Sequence, residues 1–207
     1  MLNLPEGRFT QGLVAGTAIA FLFLWLSGSL ALASVQGGFI PARVMGAAVP
    51  GALPVWLTPL SATFIHAGFL HLVLNMFMLV ICGRFVESVI GGWESVLLYI
   101  VGAYAAAAAQ WAIDPASTVP MVGASGAISA TVGAYGVFFS RAQVKAIGPF
   151  SPFVVRVVWL AAGWIFLQSL FGLAFAGGQI AIAAHVGGFI AGLLLARPLL
   201  LWRYRKA

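Results

Sequence analysis

From Gly12 to Ala33 the chain carries no charged side chain, and apolar runs recur from there almost to its end. A run of that length fits a helix that crosses a bilayer, where about 20 apolar residues span the hydrocarbon. The bilayer is therefore the solvent. Composition agrees: of 207 residues, 62% are hydrophobic and 7% charged, unlike a water-soluble domain. No stretch is long and polar enough for a separate soluble unit. Residues 1–207 are expected to form one all-α polytopic membrane domain.

Six segments qualify as spans: 12–33, 69–85, 93–113, 125–139, 153–176 and 180–196. Ala31-Leu32-Ala33 has the look of a signal-peptidase site. The apolar stretch is too long for a signal core and the lead before it has one basic residue, so a retained helix is expected. The connection 34–68 holds Pro41, Pro50, Pro54, Pro59 and Trp56 and is too apolar for a free aqueous loop. It is expected to lie in the membrane interface. The segment from Ser125 is short for a full crossing, so its start should sit below the membrane surface, within protein or a water-filled cavity.

Six spans put both termini on one side. That side holds Arg8, Arg84, Arg141, Lys145, Arg156, Arg197, Arg203, Arg205 and Lys206; the other holds only Arg43. Basic loops stay inside, so both termini are expected to be cytoplasmic. The expected setting is the plasma (inner) membrane of a bacterium. The net charge of +6 belongs to these loops and to the C-terminal end, and does not point to nucleic acid. Cys82 stands alone in an apolar run and reads as a buried thiol.

The polar residues left at membrane depth carry the functional signal. Ser125 sits in Met121-Val122-Gly123-Ala124-Ser125-Gly126-Ala127 at the start of an apolar run. Free N–H groups at a helix start can hold an oxyanion, which suits a nucleophilic serine. From this stretch alone a capping serine or a small-residue packing site is the better-supported reading, and the partners elsewhere must decide. His71 and Asn75 are four apart and share a helix face, and both can donate hydrogen bonds. His185 lies near the outer start of the last span, and His66 precedes the second. The plain alternatives are interhelical bonding for His71 and Asn75, a satisfied interior histidine for His185 and an interfacial loop histidine for His66. With the topology above, all of them fall toward the outer side. His185, Gly188 and Gly192 share one face; Ser125, Ser129, Gly133 and Gly136 share another. If these small-residue faces meet, His185 comes level with Ser125 and can take its proton. No carboxylate lies near the three histidines in sequence, so no metal site is expected. Asp114, the one acid on the outer side, has nothing in the sequence to place it behind His185.

Three blocks together resemble the rhomboid family of intramembrane serine proteases. They are His66-Ala67-Gly68-Phe69-Leu70-His71-Leu72-Val73-Leu74-Asn75-Met76, Gly123-Ala124-Ser125-Gly126, and Ala184-His185-Val186-Gly187-Gly188 running on to Gly192. They fall in the family's order on the second, fourth and sixth helices. The resemblance implies a six-helix bundle with a water-filled cavity open to the outer side. It implies Ser125 as nucleophile and His185 as general base. His71, Asn75 and the Ser125 N–H would form the oxyanion hole. His66, Gly123, Gly126, Gly188 and Gly192 would shape the site, and Glu87 would be a structural acid. The fifth helix and the loop after it would form a substrate gate. The implied substrates are transmembrane segments of other proteins, cut without a cofactor. The sequence leaves the oligomeric state open. Two positions depart from the family pattern. Trp56 is followed by Leu57 rather than Arg, which removes the usual anchor of the first loop. Position 129 is Ser rather than an aromatic residue, which removes a stacking partner of the catalytic histidine. A protein that binds membrane clients without cutting them is the second expectation, and a small transporter the third.

Overall fold

The computed structural model describes residues 4–139, 144–175 and 181–205. Arg141, Ala176, Gly177, Gly178, Ile180 and Lys206 of the sequence reading lie outside them. Among the described residues there is no β-strand, only isolated bridges.

The first apolar run is two helices, not the single span 12–33. Helix α1 is Arg8–Leu26 and α2 is Leu30–Gly37. Between them Ser27, Gly28 and Ser29 turn their N–H groups back onto the carbonyls of Phe23, Trp25 and Leu24. Gly28 takes φ +68, a left-handed conformation that suits a helix end. The early start of α1 has its cause elsewhere. The Glu87 carboxylate accepts from Phe9 N–H (3.1 Å), Thr10 N–H (2.8 Å) and the Thr10 hydroxyl (2.7 Å). It caps from a distance the amides that no residue of α1 can satisfy.

Helix α3, Phe69–Ile90, runs past the expected end at 85 through a π-helical turn at Leu79–Gly83. Arg84 and Glu87, which fall beyond that expected end or at its edge, are used inside the fold. Arg84 Nε donates to the Pro5 carbonyl at 2.6 Å, and Glu87 caps α1. Helix α4 is Gly92–Ile113, α5 Ser125–Phe139, α6 Pro152–Phe175 and α7 Ile182–Arg203. The last continues beyond the expected end at 196 and through Pro198, with Ala196 and Leu199 both buried. By length and composition α1, α3, α4 and α7 can each cross a membrane, and α5 and α6 are further apolar helices. Phe23, Leu26, Trp159, Phe166 and Leu194 point outward, as lipid-facing residues do.

Helices α4, α5 and α7 are the most closely packed trio. Small residues make this possible. A Cβ at Gly188 would strike the Gly126 carbonyl, and one at Gly192 the Ala130 carbonyl. The expected meeting of the two small-residue faces is observed at Ser129 and Gly133, which lie against Gly188 and Gly192, while Gly136 faces Leu160 of α6 instead. One core cluster joins Leu72, Tyr99, Ala127, Ile128, Trp164 and Phe189; a second joins Val86, Ile90, Leu98, Ala134 and Leu199.

The connection 34–68 is ordered by short helical turns at Pro41–Met45, Val55–Leu57, Thr58–Ser61 and Ala62–Phe64. Without an arginine after Trp56 it finds other anchors. Arg43 donates to the Leu53 carbonyl (2.7 Å), Ser61 to Gly37 (2.6 Å) and the Tyr104 hydroxyl to Trp56 (2.9 Å). The Trp56 ring itself is exposed. This connection also holds the segment before Ser125. Phe39 and Met121 exchange two backbone bonds, Ala42 N–H reaches Ser117, and Gly123 N–H reaches the Ala62 carbonyl.

Candidate active site

Ser125 opens α5. The first bond of that helix runs from Ile128 N–H to the Ala124 carbonyl. The N–H groups of Ser125, Gly126 and Ala127 therefore precede the helix's own ladder. Gly123 brings the chain in at φ +110, a conformation costly for any other residue. Its missing side chain also makes room. A Cβ there would lie 2.6 Å from His71 Cε1 and 2.7 Å from Nε2. The His71 ring thus rests against the strand of chain that delivers Ser125.

His185, one turn into α7 and 6% exposed, meets the serine. Its Nε2 lies 2.8 Å from Ser125 Oγ. With a neutral ring whose Nε2 carries no proton, the hydroxyl donates to the imidazole, the geometry that proton transfer to a base requires. The close approach of α5 and α7 sets this distance: Gly188, one turn below His185, sits on the Gly126 carbonyl and against Ser129 Cβ.

His66 is fully buried and packs edge-on to His71, ring centroids 5.0 Å apart. The Ala124 N–H points to His66 Nε2 at 3.4 Å. A ring nitrogen that accepts must be unprotonated. Burial, aided by the nearby His71, pushes His66 down to about 3, so it is the neutral form that positions the backbone one residue ahead of the nucleophile. Asn75 is buried one turn along α3, and its amide donates to the His71 carbonyl at 2.8 Å. One of its two amide hydrogens is thus spent on its own helix rather than aimed at Ser125.

Ser129 is fully buried one turn below Ser125. Its hydroxyl donates to the Ser125 carbonyl (2.7 Å) and accepts from Trp164 Nε1–H of α6 (2.7 Å). Trp164 is the site neighbour that the sequence reading misses. Its one signal is an indole N–H, which needs an acceptor when it sits in an apolar helix. Ala62, whose carbonyl holds Gly123, carries no side-chain signal at all.

The described chain is thus a helical membrane bundle with a serine and a histidine in hydrogen-bond contact near the start of two tightly packed helices. Comparison with known proteins agrees. The pattern of the Rhomboid domain matches residues 54–202, and this chain belongs to the rhomboid family. It is 31% identical over 145 residues to the rhomboid protease GlpG of Yersinia enterocolitica, covering 70% of this chain and 48% of that protein. It is 29% identical over 137 residues to rhomboid-related protein 2 of Mus musculus, covering 65% and 45%. With the chloroplastic rhomboid-like protein 11 of Arabidopsis thaliana it shares 36% over 92 residues, covering 44% and 30%. The chain spans less than half the length of each of these relatives.

Proposed function

We propose that this chain is an intramembrane serine protease that cuts peptide bonds in or beside transmembrane segments of other membrane proteins. The observation that carries the reading is the 2.8 Å contact between Ser125 Oγ and His185 Nε2. Ser125 attacks the scissile carbonyl carbon as its proton passes to His185 Nε2. The negative charge on the carbonyl oxygen is met by the Ser125 N–H, with His71 and one hydrogen of Asn75 as further donors. Collapse of the tetrahedral intermediate breaks the C–N bond, and His185 returns the proton to the leaving amine. His185 then takes a proton from a water molecule whose oxygen attacks the acyl carbon; the bond from that carbon to Ser125 Oγ breaks, and His185 returns the proton to Oγ. The cut bond must be unwound first, because a helix hides its carbonyls in backbone bonds.

The proposed topology is six crossings with both termini cytoplasmic, supported by the one-sided distribution of Lys and Arg. The test is cleavage of a purified, membrane-anchored reporter in proteoliposomes. Ser125→Ala and His185→Ala should each lower the rate by at least about a thousandfold, the usual effect of losing such a group. Cleavage retained in Ser125→Ala would refute the proposal. A second reading, a client-binding rhomboid relative without protease activity, draws on Asn75, whose amide is turned to the His71 carbonyl. A folded wild type that binds the reporter and never cuts it would establish that reading instead.

A further inference from the structure

The indole N–H of Trp164 can only donate, so its bond to Ser129 Oγ fixes the direction of everything after it. With one lone pair of Ser129 Oγ taken by the indole (2.7 Å), the hydroxyl proton is left for the Ser125 carbonyl, also 2.7 Å away. Trp164 is 6% exposed and Ser129 fully buried, so water does not compete. On the same face of α6, Leu160 packs where a Cβ at Gly136 would sit, 2.8 Å from its Cδ1. Two points, one turn apart on α6 and two turns apart on α5, therefore register the two helices. The upper point ends on the peptide group of the nucleophile's own residue.

We infer that Trp164 is a positioning residue for Ser125, acting through Ser129 and resting on the protease reading above. The chain from Trp164 N–H through the Ser129 hydroxyl to the Ser125 carbonyl holds the first turn of α5. That turn sets where Ser125 Oγ stands against His185 and where the Ser125 N–H points. The sequence leaves a gap at position 129 by placing a small residue there, and Trp164 brings aromatic bulk and a donor from the neighbouring helix. The two links differ in what their loss does. Trp164→Phe keeps the ring but frees the Ser129 hydroxyl to rotate. Ser129→Ala removes both bonds and strands a buried indole N–H.

The experiment is time-resolved labelling of Ser125 by a fluorophosphonate in detergent, at several probe concentrations. It compares wild type, Trp164→Phe, Ser129→Ala and the double variant, each checked for a native helical signal and a cooperative melt well above the labelling temperature. The maximal labelling rate should fall about fivefold in Trp164→Phe, the size of one neutral hydrogen bond, with the half-saturating concentration unmoved. The double variant should be no slower than the slower single one. The 1H–15N indole resonance of Trp164, assigned by its loss in Trp164→Phe, should shift in Ser129→Ala. An unshifted resonance, an unchanged maximal rate in Trp164→Phe, or single effects that multiply in the double variant would each overturn the inference while leaving the protease reading intact. A folded wild type that takes no label removes the protease reading and, with it, this one.

Discussion

One methyl group at position 123 tests how closely the approach to the nucleophile is fitted. Gly123→Ala would have to hold φ +110 and place its Cβ within 2.7 Å of the His71 ring. Strain of that kind costs about 1–3 kcal/mol, and here part of it falls on the segment that delivers Ser125. The variant should melt lower and lose phosphonate labelling, both read on the purified protein. His66 makes a second demand at this scale. Its folded value is held near 3 by burial, against about 6.5 in an unfolded chain. Between those values the unfolded chain binds more protons, so stability falls as pH falls from about 6.5 toward 3. Thermal melts across that range should show a steeper loss for wild type than for His66→Gln. Ser125 and His185, which meet at 2.8 Å, are legible in the sequence because polar side chains stand out in apolar helices. Trp164 is not, since tryptophan reads as apolar bulk until the fold shows which acceptor its N–H meets.

At the scale of elements, helix ends are set by distant partners. Glu87→Gln removes the charge from three bonds at the start of α1. Bonds to a charged group are worth about 1.5–3 kcal/mol, so the variant should melt lower. Hydrogen exchange should rise first at residues 8–11. That dependence explains why the sequence misplaces the start of α1, the end of α3 and the split at Gly28: the capping carboxylate lies in another helix, and a Ser-Gly-Ser triplet is easily absorbed into an apolar run. The seam between α5 and α7 is the opposite case, because small residues at helical spacing announce it. Gly192→Ala would drive a methyl into the Ala130 carbonyl and push the two helices apart. Far-ultraviolet dichroism should keep its helical signal while labelling of Ser125 falls, since the 2.8 Å contact depends on that approach.

Over the whole molecule, the proposed orientation can be tested directly. In a Cys82→Ala background, Met45→Cys, 72% exposed in the first connection, should react with an impermeant maleimide in intact cells. Arg205→Cys should react only after the membrane is opened. The reverse pattern would overturn the proposed topology. The proposed orientation rests on charge placement alone, because the positive-inside bias acts on the sequence before any packing. The course of the 34–68 connection is not legible in the sequence, since it is set by backbone bonds together with side chains such as Arg43 and Ser61 whose carbonyl partners nothing in the sequence announces.

Those backbone bonds give the molecule a weak point. Residues 39–42 and 62 are stitched to 117–123 through the paired Phe39 and Met121 and the carbonyls of Ser117 and Ala62. The chain just ahead of Ser125 therefore takes its shape from a connection that lies far away in sequence. A small molecule wedged between those two stretches would disarm the serine without touching it or His185, and resistance to such a wedge would have to arise in residues that perform no chemistry.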